Sequence, residues 1–205
     1  MLNSVYQVKK AADPIDWPAA AVLSDFTYPW REEPPPSTVF RALWDEEDFH
    51  FRFEAAEDDL HTYADTNDKM EVVFSDRVEI FFRRDERMTP YYCLEMDAAG
   101  RVLDYRADYY RQFDYQWRWG EGLMVNAQMT PTGYRVTGRI TLESLKKLGL
   151  LRKGQLEAGL FRANCVALEG KKADFKWVSW INPKMEKPDF HVPGAFGVLR
   201  LVDRL

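Results

Sequence analysis

Three groups of residues in this chain are of types that could do chemistry. The first is a pair of glutamates, Glu79 within Val78-Glu79-Ile80 and Glu95 within Leu94-Glu95-Met96, each set in an apolar, strand-like run. Two carboxyl groups facing one groove, one with its pKa raised, are what glycoside hydrolysis requires. A strand glutamate paired with a nearby Arg or Lys is the simpler reading of each. The second group is the acidic turn Glu57-Asp58-Asp59, continued by Asp65, Asn67 and Asp68, whose oxygens suit a hard cation. It lacks the fixed ligand spacing of a calcium-binding loop, and a solvated acidic loop accounts for it. The third is Tyr105 to Trp119, YRADYYRQFDYQWRW, with seven aromatics in 15 residues and Arg106, Arg111 and Arg118 interleaved with Asp108 and Asp114. Aromatic faces beside bidentate polar groups suit sugars, which offer C–H faces and a rim of hydroxyls. The same segment could instead fold onto the domain as a secondary core, or serve as a protein interface.

Other chemistries find less support. The sequence has no Gly-x-Ser-x-Gly, no phosphate-cradling glycine loop and no pair of histidines at metal spacing. His50 falls on the polar face of a strand, where a solvated histidine is expected, and His61 follows the acidic turn without a partner signal. Cys93 and Cys165 lie in apolar runs and read as buried free thiols. Lys and Arg number 28 against 33 Asp and Glu, a formal charge of −5, which argues against a nucleic-acid partner. The first residues, MLNSVYQVKKAADP, lack the apolar stretch of a signal peptide, and nothing approaches the ~20 apolar residues of a membrane span. The expectation is a soluble, cytoplasmic chain with no membrane contact, or an extracellular one if a leader has been removed. Its oligomeric state is left open.

The elements that must position these groups are strands. Phe49, Phe51, Phe53 and Ala55 alternate with His50, Arg52 and Glu54, the period of a half-buried strand. Thr38 to Trp44 precedes it across the polar turn Asp45-Glu46-Glu47-Asp48. Val78, Ile80 and Phe82 alternate with Glu79, Phe81 and Arg83. Tyr91 to Met96 and Val102 to Arg106 flank the turn Asp97 to Gly100, and Leu123 to Thr130 and Tyr134 to Ile140 flank Pro131-Thr132-Gly133. Glu157 to Val166, Trp177 to Ile181 and Gly197 to Val202 complete the set. One short helix is expected, capped by Thr141, running Leu142 to Leu148 and ended by Gly149. Strands joined by short turns predict an all-β fold, a two-sheet antiparallel β-sandwich. Only about 33 residues precede the rigid Pro34-Pro35-Pro36, too few for an independent domain. The chain therefore reads as one domain over 1–205, with 1–37 as an N-terminal extension or edge segment. Its aromatic fraction of 15% demands either a thick β core or a stacking surface.

Five segments occur in a suggestive order: LWDEEDFHFRFEAAEDDLH (Leu43 to His61), DRVEIFF (Asp76 to Phe82), YYCLEMDAAGRVLDY (Tyr91 to Tyr105), WVSWINP (Trp177 to Pro183) and PDFHVPGAFGVLRL (Pro188 to Leu201). Together they resemble the family 9 carbohydrate-binding modules, within the DOMON-like β-sandwich group, over about residues 38–202. The resemblance implies jelly-roll or immunoglobulin-like connections and noncatalytic sugar binding. In that family two tryptophans sandwich a sugar ring while a strand carboxylate, here Glu79, bonds its hydroxyls. The tryptophan positions fall near Val73-Phe74 and at Phe190, and a sugar-binding Arg position falls at Cys93. The implied pocket is therefore Glu79, Phe74 and Phe190, with Trp180, His191 and Tyr92 or the Tyr105–Trp119 segment replacing the missing aromatics. Calcium is the one cofactor implied, held partly by Asp58. Some DOMON-like relatives hold haem through Met and His, for which Met96 or Met129 with His191 would serve; such Met could equally fill core gaps. A glycan-acting enzyme using Glu79 and Glu95 is the other alternative.

Overall fold

A computed structural model describes residues 4–66 and 68–203. Asn67, one of the residues of the acidic turn, lies outside the described residues. The chain is nearly all β. The strands are β1 (Val5–Lys10), β2 (Thr38–Trp44), β3 (Asp48–Ala56), β4 (Arg77–Arg83), β5 (Tyr91–Asp97) and β6 (Val102–Asp108). They continue as β7 (Gln112–Asp114), β8 (Leu123–Thr130), β9 (Gly133–Thr141), β10 (Gln155–Glu169), β11 (Lys172–Ser179) and β12 (Gly197–Val202). The α-helix α1 (Leu142–Lys147) starts where the capping pattern places it: Thr141 Oγ1 accepts the Ser144 N–H at 3.2 Å, and Gly149 follows at φ +69°.

The strands form one continuous, curled sheet in the order β7-β6-β5-β4-β10-β12-β1-β2-β3-β9-β8, with β11 also pairing β10. Two of the pairings are parallel, β1 with β12 and β1 with β2, where the sequence predicts antiparallel pairing throughout. β1 is accordingly not an edge strand: it is hydrogen-bonded on both sides in the middle of the order. The reason is its pattern, since Tyr6 and Val8 alternate into the core.

The sheet folds over so that Phe49 of β3 meets Phe82 of β4 edge-on at 6.4 Å, although β10, β12, β1 and β2 lie between them in the strand order. Inward residues of both halves share one large core, including Phe40, Phe51, Phe53, Ile80, Leu94, Val136 and Leu160. Burying these large apolar side chains at about 1.5–3 kcal/mol apiece is what closes the curl. A second, smaller apolar cluster covers the opposite face of β4, β5, β6 and β10, built from Phe81, Tyr91, Leu103, Tyr105, Phe161 and Phe190. Every residue of β4 and β5 is therefore buried. The face on which period-two reading puts Glu79 and Arg83 is covered, not solvated.

Candidate functional site

That covered face carries the site. Phe161 on β10, Glu79 on β4, Glu95 on β5 and Leu103 on β6 lie directly opposite one another in register, so strand alternation sends all four side chains to one side. Arg77, two residues before Glu79, and Tyr105, two beyond Leu103, share it. Arg77 Nε sits 2.6 Å from Glu95 Oε2 and 3.0 Å from Glu79 Oε1. Its single hydrogen is directed to Glu95, while Nη1 donates to the carbonyls of Val73 at 3.0 Å and Ser75 at 3.4 Å. The Tyr105 hydroxyl donates to Glu95 Oε1 at 2.9 Å. Glu79 Oε1, only ion-paired, accepts no hydrogen bond among the described residues.

These groups floor a cleft of about 200 Å³. One wall is Phe190, stacked flat on Phe161 at 4.1 Å and 9°, with Trp177 edge-on to it at 5.9 Å. The other is Phe113 and Tyr115 from the aromatic segment, both packed on Tyr105. His191 lies between them, stacked on Phe81 at 5.0 Å, with Nδ1 3.0 Å from the Tyr91 hydroxyl. At the rim Arg111 Nη1 meets Asp189 Oδ1 at 3.0 Å, and Asp189 also accepts the Tyr110 hydroxyl and the His191 N–H. This bridge ties the aromatic segment to the Pro188–His191 loop across the opening.

The electrostatics follow from burial. Desolvation, and then the neighbouring Glu95 charge, push the Glu79 carboxyl up to about 8 against the pull of Arg77. Burial works against the Arg77 charge, but Glu95 and Glu79 outweigh it and raise that group. Burial, then Cys93 and the two glutamates, lift the Tyr105 phenol well above its ordinary value. His191 is pushed down to about 3 by burial and then by Arg111, so its ring is neutral while hydrogen-bonded to the Tyr91 hydroxyl. At its floor the cleft has a buried carboxyl, Glu79, one oxygen of which receives no hydrogen bond, set among aromatic side chains.

A family model described as carbohydrate family 9 binding domain-like matches residues 11–204. The chain belongs to that family. Similar folds among solved structures include a proposed carbohydrate-binding protein from Bacteroides uniformis ATCC 8492, with a TM-score of 0.74 and 16% identity, covering 98% of this chain and 100% of that one. They also include a family 9 carbohydrate-binding module from Caldicellulosiruptor kristjanssonii in complex with cellotriose (TM-score 0.64, 15% identity, 98% and 95% coverage). A third is a family 9 module of the same organism in complex with glucose (TM-score 0.60, 16% identity, 98% and 97% coverage). At such identities the likeness is one of fold. No curated protein matches the chain significantly.

In this family 9 domain, Glu79, Phe190 and His191 line the cleft together with residues of the Tyr105–Trp119 segment. Phe74 does not: its neighbour Val73 faces the cleft, while Phe74 packs edge-on against Tyr63 at 5.6 Å. Tyr92 and Trp180 belong to the inner core. Tyr92 pairs with Phe82 and shares its inward face, one residue out of phase with Cys93 and Glu95. Trp180 lies an odd number of residues from Trp177 and packs under Gly197. Cys93 is buried beside Tyr105, and Cys165 is also buried and free.

The residues that sequence reasoning passed over are Arg77, Trp177 and Asp189, whereas Arg111 belongs to the aromatic segment it singles out. Arg77 carried a signal, its i−2 spacing from Glu79, which puts the two on one strand face. Asp189 carried none beyond adjacency to Phe190.

The cofactor expectations do not fit these residues. Asp58 is exposed, and Glu57 beside it is taken by Arg162 Nη2 and Asn164 Nδ2, both at 2.7 Å. Among the described residues no three His, Cys, Asp or Glu side chains converge as a metal site needs. For haem, Met96 is buried in the inner core, Met129 is 59% exposed on β8, and His191 lies in the outer cleft, so no two can approach one iron. No helix among the described residues is long and apolar enough to cross a membrane.

Proposed function

We propose that this family 9 domain binds a saccharide without transforming it, in the cleft floored by Glu79. The supporting observation is Glu79 Oε1, a buried carboxylate oxygen with no hydrogen-bond donor aimed at it, set between aromatic walls. A sugar hydroxyl supplies the missing donor, and with Glu79 ionised a charge-assisted bond of this kind is worth about 1.5–3 kcal/mol. The C–H face of the ring lies against Phe190 and Trp177 on one side or Phe113 and Tyr115 on the other. Arg111 and Asp189 hold the two walls together and offer further polar groups at the rim. The glucose and cellotriose complexes of similarly folded modules support this ligand class. In this reading the curled sheet is a jelly-roll-like sandwich of two facing layers, with the cleft on the outside of one.

Glycoside hydrolysis is the weaker reading. Glu79 and Glu95 sit side by side, as a retaining pair would, but Arg77 Nε fills the space between them at 3.0 and 2.6 Å. A scissile bond would have to occupy that space.

NMR shift mapping with a panel of mono- and oligosaccharides tests the proposal. Perturbations clustered on β4, β5 and the Pro188–His191 loop support it. Absence of any perturbation at millimolar sugar overturns it.

A further inference from the structure

The charges that line the Glu79 cleft do not cancel. At its mouth Arg111 and Asp189 neutralise each other at 3.0 Å. At its floor one cation among the described residues, Arg77, faces two carboxyls, Glu79 at 3.0 Å and Glu95 at 2.6 Å. His191 adds no charge, because burial holds its ring neutral. Burial also lifts the Tyr105 phenol and the Cys93 thiol well above their ordinary values and raises Tyr115, so none of the three is ionised at neutral pH. With both glutamates ionised, the floor therefore holds one negative charge in excess. The excess sits at Glu79 Oε1, to which no described residue donates.

Two things can remove it. In the free protein a proton does so: burial, then the charge of Glu95, raise the Glu79 carboxyl to about 8. A ligand does so by bringing a positive charge of its own. A neutral hydroxyl supplies a donor but leaves the excess charge buried, which is costly. An ammonium supplies three donors and the missing charge together.

The walls suit a cation as well. Phe190 and Trp177 stand on one side and Phe113 and Tyr115 on the other, and ring faces attract an ammonium within about 6 Å of their centroids. The chain itself sets cations on these rings: Arg77 lies over Trp177 at 5.6 Å and Arg111 over Phe113 at 5.4 Å. Both guanidiniums are committed to carboxylates, Arg77 donating to Glu95 and Arg111 to Asp189. Glu79 is left for a third cation.

We infer that the domain selects a saccharide bearing a free amino group, whose ammonium bonds Glu79 Oε1 between the aromatic walls. This rests on the saccharide reading of the cleft and names the sugar class, amino hexoses ahead of neutral or N-acetylated ones. The ammonium takes the place that a hydroxyl takes in a neutral sugar, so neutral sugars remain weaker ligands of the same site.

The test is calorimetric titration at pH 7 with glucosamine, galactosamine and mannosamine, each against its parent hexose and its N-acetyl derivative. The expected result is that one amino sugar binds at least about tenfold more tightly than both neutral counterparts. Glu79→Gln, checked for an intact melting transition, should reduce that preference to about twofold or less. A second readout needs no variant. Affinity for the amino sugar should pass through a maximum and fall as the ligand's own ammonium loses its proton, whereas affinity for the neutral sugar levels off above about pH 8. Neutral hexoses that bind as tightly as amino sugars, or a preference that survives in Glu79→Gln, overturn the inference while the saccharide reading stands. Ethanolamine binding as tightly as glucosamine overturns it too, since the cleft would then read an amine without its sugar. Failure of every sugar to bind the wild type overturns both.

Discussion

Glu79 and Glu95 face each other across β4 and β5 and share one nitrogen of Arg77, but only Glu95 receives its hydrogen. Glu95 is satisfied twice over, by Arg77 and by the Tyr105 hydroxyl. Glu79 is buried as deeply and keeps an oxygen unsatisfied. Two carboxyls set side by side thus differ in what a ligand can offer them.

A hydroxyl donating to Glu79 favours its ionised form, so binding should release a proton. With the carboxyl raised to about 8 in the free protein, saccharide affinity should climb with pH and level off above that value. Titrations in buffers of different ionisation enthalpy would measure the released proton. Affinity that is flat between pH 6 and pH 9 would contradict the assignment.

The same shift affects stability. The folded value of Glu79 is raised above its ordinary 4.5, so its contribution is fully present below pH 4.5 and lost as pH rises towards about 8. His191 acts in the opposite direction: with its folded value depressed from 6.5 to about 3, stability is present above pH 6.5 and lost as pH falls towards 3. Denaturant melts of Glu79→Gln and His191→Gln, subtracted from the wild type at each pH, should show slopes of opposite sign in these two windows. Parallel curves would show that neither group titrates as the burial implies.

Tyr92 and Trp180 separate core from site. Trp180→Ala should cost about 3–5 kcal/mol, as a large core truncation does, and Tyr92→Phe under about 1 kcal/mol, because the lost hydroxyl contact to Arg84 is a long 3.3 Å. Neither should change saccharide affinity in the folded protein. A selective loss of affinity in Tyr92→Phe would place the site on the wrong face of β5.

Much of this is legible in the sequence. The alternation in Phe49-Phe51-Phe53 and in Val78-Ile80-Phe82 fixes which face is core, and Thr141 with Gly149 brackets α1. Two kinds of information were not local. Period two tells which residues share a strand face, but not that loops 109–118 and 182–192 cover the far side of β4 and β5. Nor could the sequence place β1 between β12 and β2, since parallel partners leave no turn between them to read. Tyr92 and Trp180 were natural choices by residue type. They fall outside the cleft because each lies an odd number of residues from the side chain that does line it, Glu95 and Trp177 respectively.

Arg162 is fully buried, yet it bonds the Ala56 carbonyl and Glu57 at 2.7 Å and Thr38 Oγ1 at 3.2 Å. An internal cation thus occupies the oxygen-rich corner next to Asp58. Arg162→Met should destabilise by about 3–5 kcal/mol, because Glu57 is left charged without its partner. Chemical denaturation would measure this, and a change under about 1 kcal/mol would mean that Glu57 is held by other groups.

The saccharide reading stands on Glu79 as the group that bonds a sugar hydroxyl. Isothermal titration of wild type and Glu79→Gln against the same saccharide panel tests it most directly, since the substitution keeps shape and removes charge. The expected result is measurable affinity in the wild type and a loss of about tenfold or more in Glu79→Gln at pH 8 and above, with the fold intact by melting. Equal affinity in the two proteins would contradict it.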